Sequence, residues 1–348
     1  MNTRIRILAA GPGLTLQDFG RPGYARFGLS KGGAMDSYAM AEGAILLGNK
    51  PDHTAIEIAG YGGRFTIEGE PSMLALTGAP MQATLNGTPL AWRCSFSVKS
   101  GDTLEIGSVI NQQGTYGYLS IAGGFDAPLE IGASGTHLRA GLGGLTGKAL
   151  CAGDLLHDNG YANEHRASVM LPTPDHLGRT TIRILWGAQS ARFSQATRER
   201  MLAETFTVSH QRDRMAMRLS PQNSPEPFEA LLTGLSDPVQ DGEIQMTGDG
   251  VPAIVMREHQ PTGGYPRIAS VISADLAAAA QLATGVPFRF ELVNQEQAVA
   301  ALEKWRDDIA ALANRASPVI RSPEELNLLD FNLITGVIYA DDSNEPEQ

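Results

Sequence analysis

The sequence has 348 residues and a net charge of −11, with 42% hydrophobic and 19% charged residues, 39 glycines and 20 prolines. This composition supports one large or two medium globular domains, and it favours tight turns over long helical bundles. The acidic balance argues against nucleic-acid binding, which needs clustered lysine and arginine side chains.

Targeting and membrane segments are not evident in the sequence. The N-terminal apolar run Ile7–Ala10 is too short for the core of a signal peptide, and no stretch approaches the ~18 apolar residues of a membrane span. Cys94 and Cys151 lie far apart, without the spacing of a metal site. We therefore predict a cytoplasmic protein with reduced thiols and no bound metal.

Short alternating or apolar runs between turn residues dominate the first half and predict a mainly β fold with a few helices. The strands predicted there are Arg4–Leu8, Ala55–Ile58, Arg64–Ile67, Met73–Leu76, Phe96–Val98, Thr103–Ile106 and Tyr118–Ala122. Asn86-Gly87 predicts a β-hairpin, because both residue types tolerate positive φ. One helix is predicted over Ser37–Leu47, with Asp36 as its N-cap and Gly48 directly after it.

The second half begins with a repeat of the first. Residues 182–185 (Ile-Arg-Ile-Leu) match residues 5–8 letter for letter, and Pro172–Gly178 is typical of a linker. We therefore predict two similar β-rich halves. The predicted boundaries are 1–171 and 181–340, followed by a disordered acidic tail at 341–348.

Helices are predicted in the second half over Ser190–Leu202, Asp275–Leu282 and Glu296–Asn314. The last has an apolar stripe at helical spacing, formed by Ala298, Leu302, Trp305, Ile309 and Leu312. Such a stripe can bind a partner helix, but we interpret it as the face that packs on the protein's own core.

Several common catalytic motifs are absent from the sequence. Residues 141–148 resemble a phosphate-binding loop, but Leu142 stands where the first glycine is required and Ala149 where Ser or Thr is required. No dinucleotide fingerprint, GxSxG elbow or HExxH motif occurs. The Met-Lys-Met motif of a biotin carrier is also missing, so any biotin would be carried by another chain.

The first unusual loop contains Gly20-Arg21-Pro22-Gly23, a stiff turn that can hold Arg21 outward. A guanidinium held in this way suits carboxylate, phosphate or amide oxygens. The alternative is a structural turn in which Asp18 pairs with Arg21. Residues 31–33 (Lys-Gly-Gly) then precede the N-cap Asp36, and their backbone N–H groups either bind an anion or belong to an ordinary loop.

The second unusual loop, Glu258–Pro266, concentrates polar groups after a predicted strand at Ala253–Met256. Its candidate groups are His259 as general acid or base, Gln260 and Thr262 as donors, Gly263 and Gly264 for close approach to a ligand, and Tyr265 as a donor or stacking wall. The alternative is a β-turn with a structural tyrosine and an exposed histidine.

A third segment runs from Gly135 to Gly144. His137 and Arg139 alternate with Leu138, so both side chains would share one face if the segment were extended. The alternative is a surface loop.

These segments, in this order, resemble the biotin-dependent carboxyltransferase family that includes allophanate hydrolase subunit 2 and the C component of 5-oxoprolinase. The matching segments are 15–24, 76–79, 121–126, 141–144, 213–215, 236–239, 262–266 and 272–276. The resemblance implies two cyclophilin-like β-barrel halves and a partner similar to allophanate hydrolase subunit 1 or to the B component of 5-oxoprolinase. It also implies a small ureide or lactam substrate.

The resemblance leaves three functions open. The first is ATP-dependent opening of 5-oxoproline to glutamate, which we favour, with ATP bound by the partner or at the interface. The second is carboxyl transfer from carboxybiotin to urea or a related amide, with the biotin on another chain. The third is a non-catalytic role as the regulatory partner of a kinase inhibitor-like protein. Local departures from the family pattern, at Leu29–Gly33, Pro261 and Gly135–His137, affect substrate choice rather than family membership.

The two loops are expected to converge on one cleft. The catalytic residues we predict are Asp18, Arg21, His259 and Tyr265, and the substrate-binding residues are Gln17, Tyr24, Asp36, His137, Arg139, Gln260, Thr262, Gly263 and Gly264. In this scheme Arg21, Gln260 and Thr262 donate to a substrate oxygen, and His259 or Asp18 is the base. Tyr24 and Tyr265 form the walls.

Overall fold

Antiparallel strands build the first half of the protein, in a computed structural model that describes residues 2–160, 167–231 and 234–319. The predicted tail at 341–348 lies outside the described residues. The strands are β1 (Arg4–Ala10), β2 (Thr15–Gln17), β3 (Ala55–Ala59), β4 (Tyr61–Glu68), β5 (Ser72–Gly78), β6 (Met81–Leu85), β7 (Thr88–Pro89), β8 (Cys94–Val98), β9 (Thr103–Val109), β10 (Tyr116–Ile121), β11 (Phe125–Asp126), β12 (Leu155–Asp158) and β13 (Val169–Met170). All seven strands predicted in this half are confirmed, as is the hairpin at Asn86-Gly87 between β6 and β7.

The second half has strands β14 (Thr181–Trp186), β15 (Phe206–Arg212), β16 (Ala216–Pro221), β17 (Asp237–Pro238), β18 (Glu243–Met246), β19 (Pro252–Val255), β20 (Thr262–Gly263), β21 (Arg267–Val271), β22 (Arg289–Leu292) and β23 (Ser317–Pro318). The helices of the described chain are α1 (Ser37–Leu47), α2 (Gln195–Ala203), α3 (Leu276–Gln281), α4 (Gln295–Ala310) and α5 (Leu312–Arg315). None of them has both the length and the hydrophobicity needed to cross a membrane.

The described strands form three seven-stranded sheets and one two-stranded ribbon, β17-β20. The first half forms the sheets β11-β12-β1-β4-β9-β6-β7 and β2-β3-β10-β5-β8-β13-β23, the latter completed by β23 of the second half. The second half forms β15-β16-β19-β18-β21-β14-β22. The sheets curl into half-barrels, so the predicted fold class, mainly β with two barrel-like halves, is confirmed.

The repeated Ile-Arg-Ile-Leu segments have the same pattern of burial in both halves. Ile5 and Ile7 on β1 are fully buried, and so are Ile182 and Ile184 on β14. Alternation along a strand places both isoleucines of each copy on the inner face of a sheet. The identical letters therefore mark equivalent core-facing strands, although β14 also has a parallel neighbour, β22.

Helix α1 begins and ends where its sequence signals predicted. One carboxylate oxygen of Asp36 accepts hydrogen bonds from Tyr38 N at 3.0 Å and Ala39 N at 3.1 Å. Gly48 ends the helix in a left-handed conformation with φ of 66°. The prediction for the next helix was wrong at its start, because Ser194 caps α2 and only a short 3₁₀ turn, Ser190–Arg192, precedes it.

The two halves share their largest hydrophobic cluster. It joins Met35, Met40 and Tyr118 of the first half to a large apolar set from the second half, including Ile184 and Phe206. Burial of such side chains stabilises each by roughly 1.5–3 kcal/mol. The interface between the halves is therefore part of the protein's core.

The chain returns to the first half at its last described elements. Trp305, Ile309 and Leu312 of α4 and α5 pack in a cluster with residues of α1, which confirms that the predicted stripe faces the protein's own core. Strand β23 then pairs with β13, with Ser317 opposite Met170. Helix α4 thus bridges the two halves, since its Ala298 and Ala301 pack on the second half.

Candidate functional site

The candidate site lies at the junction of the two halves, where the loop after β2 meets the loop after β19. Gly32 N donates to Arg257 O at 3.0 Å, and Arg257 Nε donates to Ala34 O at 3.2 Å. Glu258 N donates to Arg214 O at 2.7 Å. The structure thus brings the end of the first unusual loop into direct contact with Arg257, the residue directly before the second.

A buried ion cluster holds this junction together. Arg214 donates to the carboxylates of Glu57 and Glu258 and, at 2.6 Å, to the carbonyl oxygen of Gly33. Each of the three charged residues is at most 9% exposed. Burial alone would lower the pKa of Arg214, but the two carboxylates outweigh burial and raise it. We call Glu57, Arg214 and Glu258 the junction triad.

Glu57 ties the triad to the start of α1. Its second oxygen accepts hydrogen bonds from Met35 N and from the Tyr118 hydroxyl, both at 2.7 Å. The Tyr118 oxygen in turn accepts from Asp36 N at 2.8 Å. The triad therefore fixes the backbone of the first loop where it enters the helix.

Glu258 ties the triad to the third loop. Its Oε2 accepts from Arg139 N at 3.2 Å and lies 3.8 Å from His137 Nδ1. On the other side of the ring, His137 Nε2 lies 3.0 Å from Ser30 Oγ. Ser30, His137 and Glu258 are therefore aligned in the order found in serine hydrolases.

The hydrogen bonds of His137 rule out that hydrolase role in this state. Ala140 N donates to His137 Nδ1 at 3.2 Å, so Nδ1 is an acceptor and the ring proton is on Nε2. Nε2 then donates to Ser30 and cannot accept the hydroxyl proton. Burial also lowers the pKa of His137, which keeps the ring neutral. His137 consequently orients Ser30 rather than activating it.

The turn between His137 and Leu142 separates the two side chains predicted to share a face. His137 N donates to Leu142 O at 2.8 Å, and Gly141 N donates to His137 O at 2.9 Å. The segment is therefore a tight turn and not an extended strand. His137 is 2% exposed, whereas Arg139 is exposed.

Gln17 and Asp18 are buried beneath the first loop. Gln17 Nε2 donates to Thr15 Oγ1 at 3.1 Å and to Thr136 O at 2.9 Å. The Asp18 carboxylate accepts from Gly20 N at 2.8 Å and Ser134 N at 2.7 Å. Both side chains thus connect the first and third loops.

Arg21 points inward, contrary to the expectation of an outward guanidinium. Its three nitrogens donate to the carbonyl oxygens of Glu130, Ala133 and Gly135 at 2.7–3.0 Å, and the residue is 1% exposed. Burial lowers the pKa of Arg21, and nearby Asp18 partly offsets this effect. Within the described residues no ion pair joins Asp18 to Arg21, so the expected salt bridge is replaced by hydrogen bonds to the backbone.

Most of the N–H groups after Lys31 already have acceptors. Gly32 N donates to Arg257 O, Ala34 N to Asp18 O at 2.8 Å, and Met35 N to Glu57. Among the described residues only Gly33 N, in the segment 32–35, has no hydrogen-bond acceptor, so an anion would meet a single N–H group here. The side chain of Lys31 is exposed. Its pKa is nevertheless lowered, because its ammonium group is partly desolvated and lies near the positive charge of Arg257. A lysine with a lowered pKa at this junction is a candidate proton donor or acceptor.

Tyr24 and Asp36 lie at opposite ends of the first loop. Tyr24 is partly exposed and packs against Phe27, with ring centroids 6.1 Å apart. Asp36 is fully buried, and its second oxygen accepts from His176 Nε2 at 3.0 Å and Gln281 Nε2 at 2.8 Å. Asp36 therefore links α1, the linker and α3.

The second loop exposes Gln260, Thr262 and Tyr265, but His259 is buried, contrary to the alternative of an exposed histidine. His259 is 8% exposed, and its Nδ1 lies 2.9 Å from Gln260 O, which leaves Nε2 as the acceptor nitrogen. Thr262 and Gly263 form β20, which pairs with β17, and Gly264 O accepts from Gly234 N at 3.0 Å. Tyr265 is 43% exposed.

The junction triad was not among the predicted site residues. Arg214 lies in one of the segments that resemble the family, at 213–215, and Glu258 precedes His259. Glu57 could have been found from the sequence, because it is the charged residue in the otherwise apolar segment Ala55–Ala59. A charged residue in a buried strand is rare unless it is paired.

The contact between Asp36 and His176 makes stability depend on pH. Burial alone would lower the pKa of His176, but Asp36 raises it; conversely, burial would raise the pKa of Asp36, but His176 lowers it. The contribution of a histidine with a raised pKa is complete below its unfolded value of about 6.5 and is lost as pH rises through the folded pKa. The contribution of Asp36 to stability is lost only as pH falls through the lowered pKa of its carboxyl group.

We therefore expect the difference in unfolding free energy between the wild type and His176→Gln to shrink as pH rises above about 6.5. Urea unfolding between pH 5.5 and 9 measures it. Exposed His210 provides the control variant, His210→Gln. A difference that stays constant across this range would show that His176 is not charged against Asp36.

Comparison with known proteins places this architecture in a family. A family model described as "Carboxyltransferase domain, subdomain A and B" matches residues 27–292. The C component of the 5-oxoprolinase of Haemophilus influenzae is 36% identical over 298 residues, which cover 84% of this chain and 93% of the relative. That of Escherichia coli is 34% identical, covering 89% of this chain and 98% of the relative.

Similar solved structures come from larger proteins. The crystal structure of Kluyveromyces lactis urea amidolyase matches with a TM-score of 0.77 and 25% identity, over 92% of this chain and 21% of that one. TTHA0988 matches with a TM-score of 0.74 and 26% identity, over 83% of this chain and 56% of that one. The urea amidolyase of Saccharomyces cerevisiae is 28% identical, but this chain spans only 20% of its length. The chain therefore belongs to the family of the carboxyltransferase domain, subdomains A and B.

Proposed function

We propose that this chain is the C component of an ATP-dependent 5-oxoprolinase, which opens the lactam ring of 5-oxoproline to glutamate. The observation that supports this most is the match to the C components of two bacterial 5-oxoprolinases, which covers 93% and 98% of their lengths. The names of those relatives mark them as subunits that work with others. By the same reasoning the partner of this chain is a protein similar to the B component of 5-oxoprolinase or to allophanate hydrolase subunit 1.

Lactam opening needs groups that the junction can supply. Water adds to the ring carbonyl carbon, the C–N bond breaks, and the nitrogen takes up a proton. Donors must be directed at the carbonyl oxygen, and an acid or base must serve the water and the nitrogen. We assign the proton transfer to His259 through its acceptor nitrogen Nε2, and donation to the oxygen to Lys31 and Gln260.

The remaining predicted residues have supporting roles in this proposal. Arg21, Asp18 and Gln17 hold the first and third loops together from below. Tyr24 and Tyr265 keep their roles as walls, and Thr262, Gly263 and Gly264 form the neighbouring rim. ATP would bind on the partner or at the interface with it, since the sequence has no phosphate-binding loop.

A second function is favoured by a separate observation. The family is described as a carboxyltransferase domain, and the chain matches urea amidolyase over 92% of its own length. Carboxyl transfer from carboxybiotin to urea or a related amide would use the same donors on a similar C=O and N–H pair. The biotin would arrive on a carrier from another chain.

The activity of the assembled complex distinguishes lactam opening from carboxyl transfer. The chain is co-expressed with its candidate partner, and ADP and glutamate are measured with 5-oxoproline, with urea and bicarbonate, and without substrate. Formation of glutamate with 5-oxoproline alone supports the lactam reaction. If only the mixture that also contains biotin carboxylase and carrier turns over urea, the carboxyl-transfer function replaces it.

We expect His259→Ala to lower kcat of the complex at least 10²-fold, as loss of a general acid or base does. Exposed His210 on β15 provides the matched control, His210→Ala, which should leave kcat unchanged. Equal kcat values for the two variants, in complexes of equal thermal stability, would remove His259 from the reaction.

A further inference from the structure

A cavity lies away from the junction loops, between the linker and helices α4 and α5. It has a volume of about 220 Å³, and its walls are residues 172–176 of the linker, β14 and helices α4 and α5. Tyr38 and Trp305 form an aromatic side of the cavity, with ring centroids 6.5 Å apart. At about 30 Å³ per water molecule, the cavity has room for a small metabolite or ion.

Basic side chains surround this cavity on an otherwise acidic protein. They are His176, Arg179, Arg183, Lys304 and Arg315. The carboxylates at the same place are Asp175 and Asp308 in the wall and Asp275, which is bonded to two of the arginines. With His176 charged and its partner Asp36 counted, five cations face four carboxylates, an excess of one positive charge where the whole chain carries −11.

Two carboxylates each bridge a pair of these cations. Buried Asp275 accepts from Arg179 Nη1 at 2.8 Å and from Arg183 Nη2 at 2.6 Å. Asp308 accepts from Lys304 Nζ at 2.6 Å and Arg315 Nη2 at 2.7 Å. Because each carboxylate is shared by two cations, each pair of side chains has one positive charge left over. The arginines on buried Asp275 are 29% exposed each and are the more fixed pair, whereas Lys304 and Arg315 are 69% and 43% exposed. Donors that are already held bind anions at a lower cost in side-chain entropy.

Donor groups remain for a ligand. In the described part of the chain, the guanidinium of Arg179 donates through Nη1 alone, and that of Arg315 through Nη2 alone. A guanidinium carries five N–H donors in a planar fork, so each of these residues keeps donors that match carboxylate or phosphate oxygens.

We propose that this cavity binds a small oxyanion, with carboxylate or phosphate oxygens held by Arg179, Lys304 and Arg315 and the remainder of the molecule against Trp305. The site is separate from the lactam or carboxyl chemistry proposed above. Its occupant also lies beside His176, whose Nε2 contacts Asp36 at the start of α1. An anion bound here would therefore strengthen the charged form of His176 and the tie between the linker and the first half.

Trp305 provides a direct readout. Tryptophan fluorescence of the full chain is titrated at constant ionic strength with inorganic phosphate, with glutamate, and with chloride as the reference anion. We expect a saturable change with phosphate or glutamate and none with chloride; which of the two acts identifies phosphate or carboxylate chemistry. The response should disappear in Trp305→Phe, although Trp92 and Trp186 remain.

Charge variants test the location. Lys304→Gln combined with Arg315→Gln should weaken binding at least tenfold, measured by fluorescence and by calorimetry. Arg306→Gln, on the same helix but not in the cavity wall, removes a charge from an exposed position and should leave binding unchanged. Absence of saturation with both oxyanions in the folded wild type, or equal weakening by Arg306→Gln, would overturn the proposal.

Discussion

Replacing Arg214 with methionine should lower the free energy of unfolding by about 3–5 kcal/mol, the usual cost of removing one partner from a buried ion pair. Arg214 is the cation between the buried carboxylates of Glu57 and Glu258, which would be left without their counter-charge. Methionine keeps most of the volume, so the loss arises from charge and hydrogen bonding rather than from a cavity. Equilibrium urea unfolding at pH 7 measures the change.

Arg218 offers a matched control a few residues away. It pairs with Asp249 at 2.5 Å, but Asp249 is 59% exposed and the pair is surrounded by solvent. Exposed ion pairs contribute at most about 1 kcal/mol, so Arg218→Met should have a small effect. If the two variants lose the same stability, the junction triad does not hold the halves together as described.

Replacing Arg21 with methionine should cost about 3 kcal/mol or more. Its three hydrogen bonds end on the backbone carbonyls of Glu130, Ala133 and Gly135, and a buried acceptor that loses its partner costs about 1–3 kcal/mol. The third loop should then lose its fixed conformation. Hydrogen exchange of residues 130–144 and urea unfolding report the two effects separately.

Arg26 is the control for this variant, because it belongs to the same loop. Its guanidinium lies over the Phe27 ring at 4.7 Å, an exposed contact worth roughly 0.5–1 kcal/mol. Arg26→Met should therefore change stability little. An Arg21→Met protein that is as stable as the Arg26 variant would contradict the inward position of Arg21 and favour its predicted role at the substrate.

Local signals predicted much of the fold. Helix α1 was predictable because Asp36 and Gly48 satisfy its ends through contacts within a few residues. The core-facing strands β1 and β14 were predictable because the same apolar alternation occurs in both. In each case the deciding interaction is short in sequence or is set by periodicity.

The candidate site was less predictable because the residues that contact one another there are distant along the chain. Arg214 meets Glu57 across 157 positions, and Arg21 meets Gly135 across 114. The second contact is to a backbone carbonyl, which every residue type provides, so no pairing of charged residues could indicate that Arg21 points inward. Only Glu57, a charge within an apolar strand, indicated a buried partner.

The return of β23 to the sheet of β13 has a consequence for synthesis of the chain on the ribosome. The first half gains the strand Ser317–Pro318 and the cover from Leu312 over α1 only after residue 318 has emerged. Met35 and Met40 likewise gain their apolar contacts with the second half only after that half has been synthesised. Domains usually fold in order as they are made. The nascent first half therefore keeps part of its apolar surface uncovered until α4, α5 and β23 have been made.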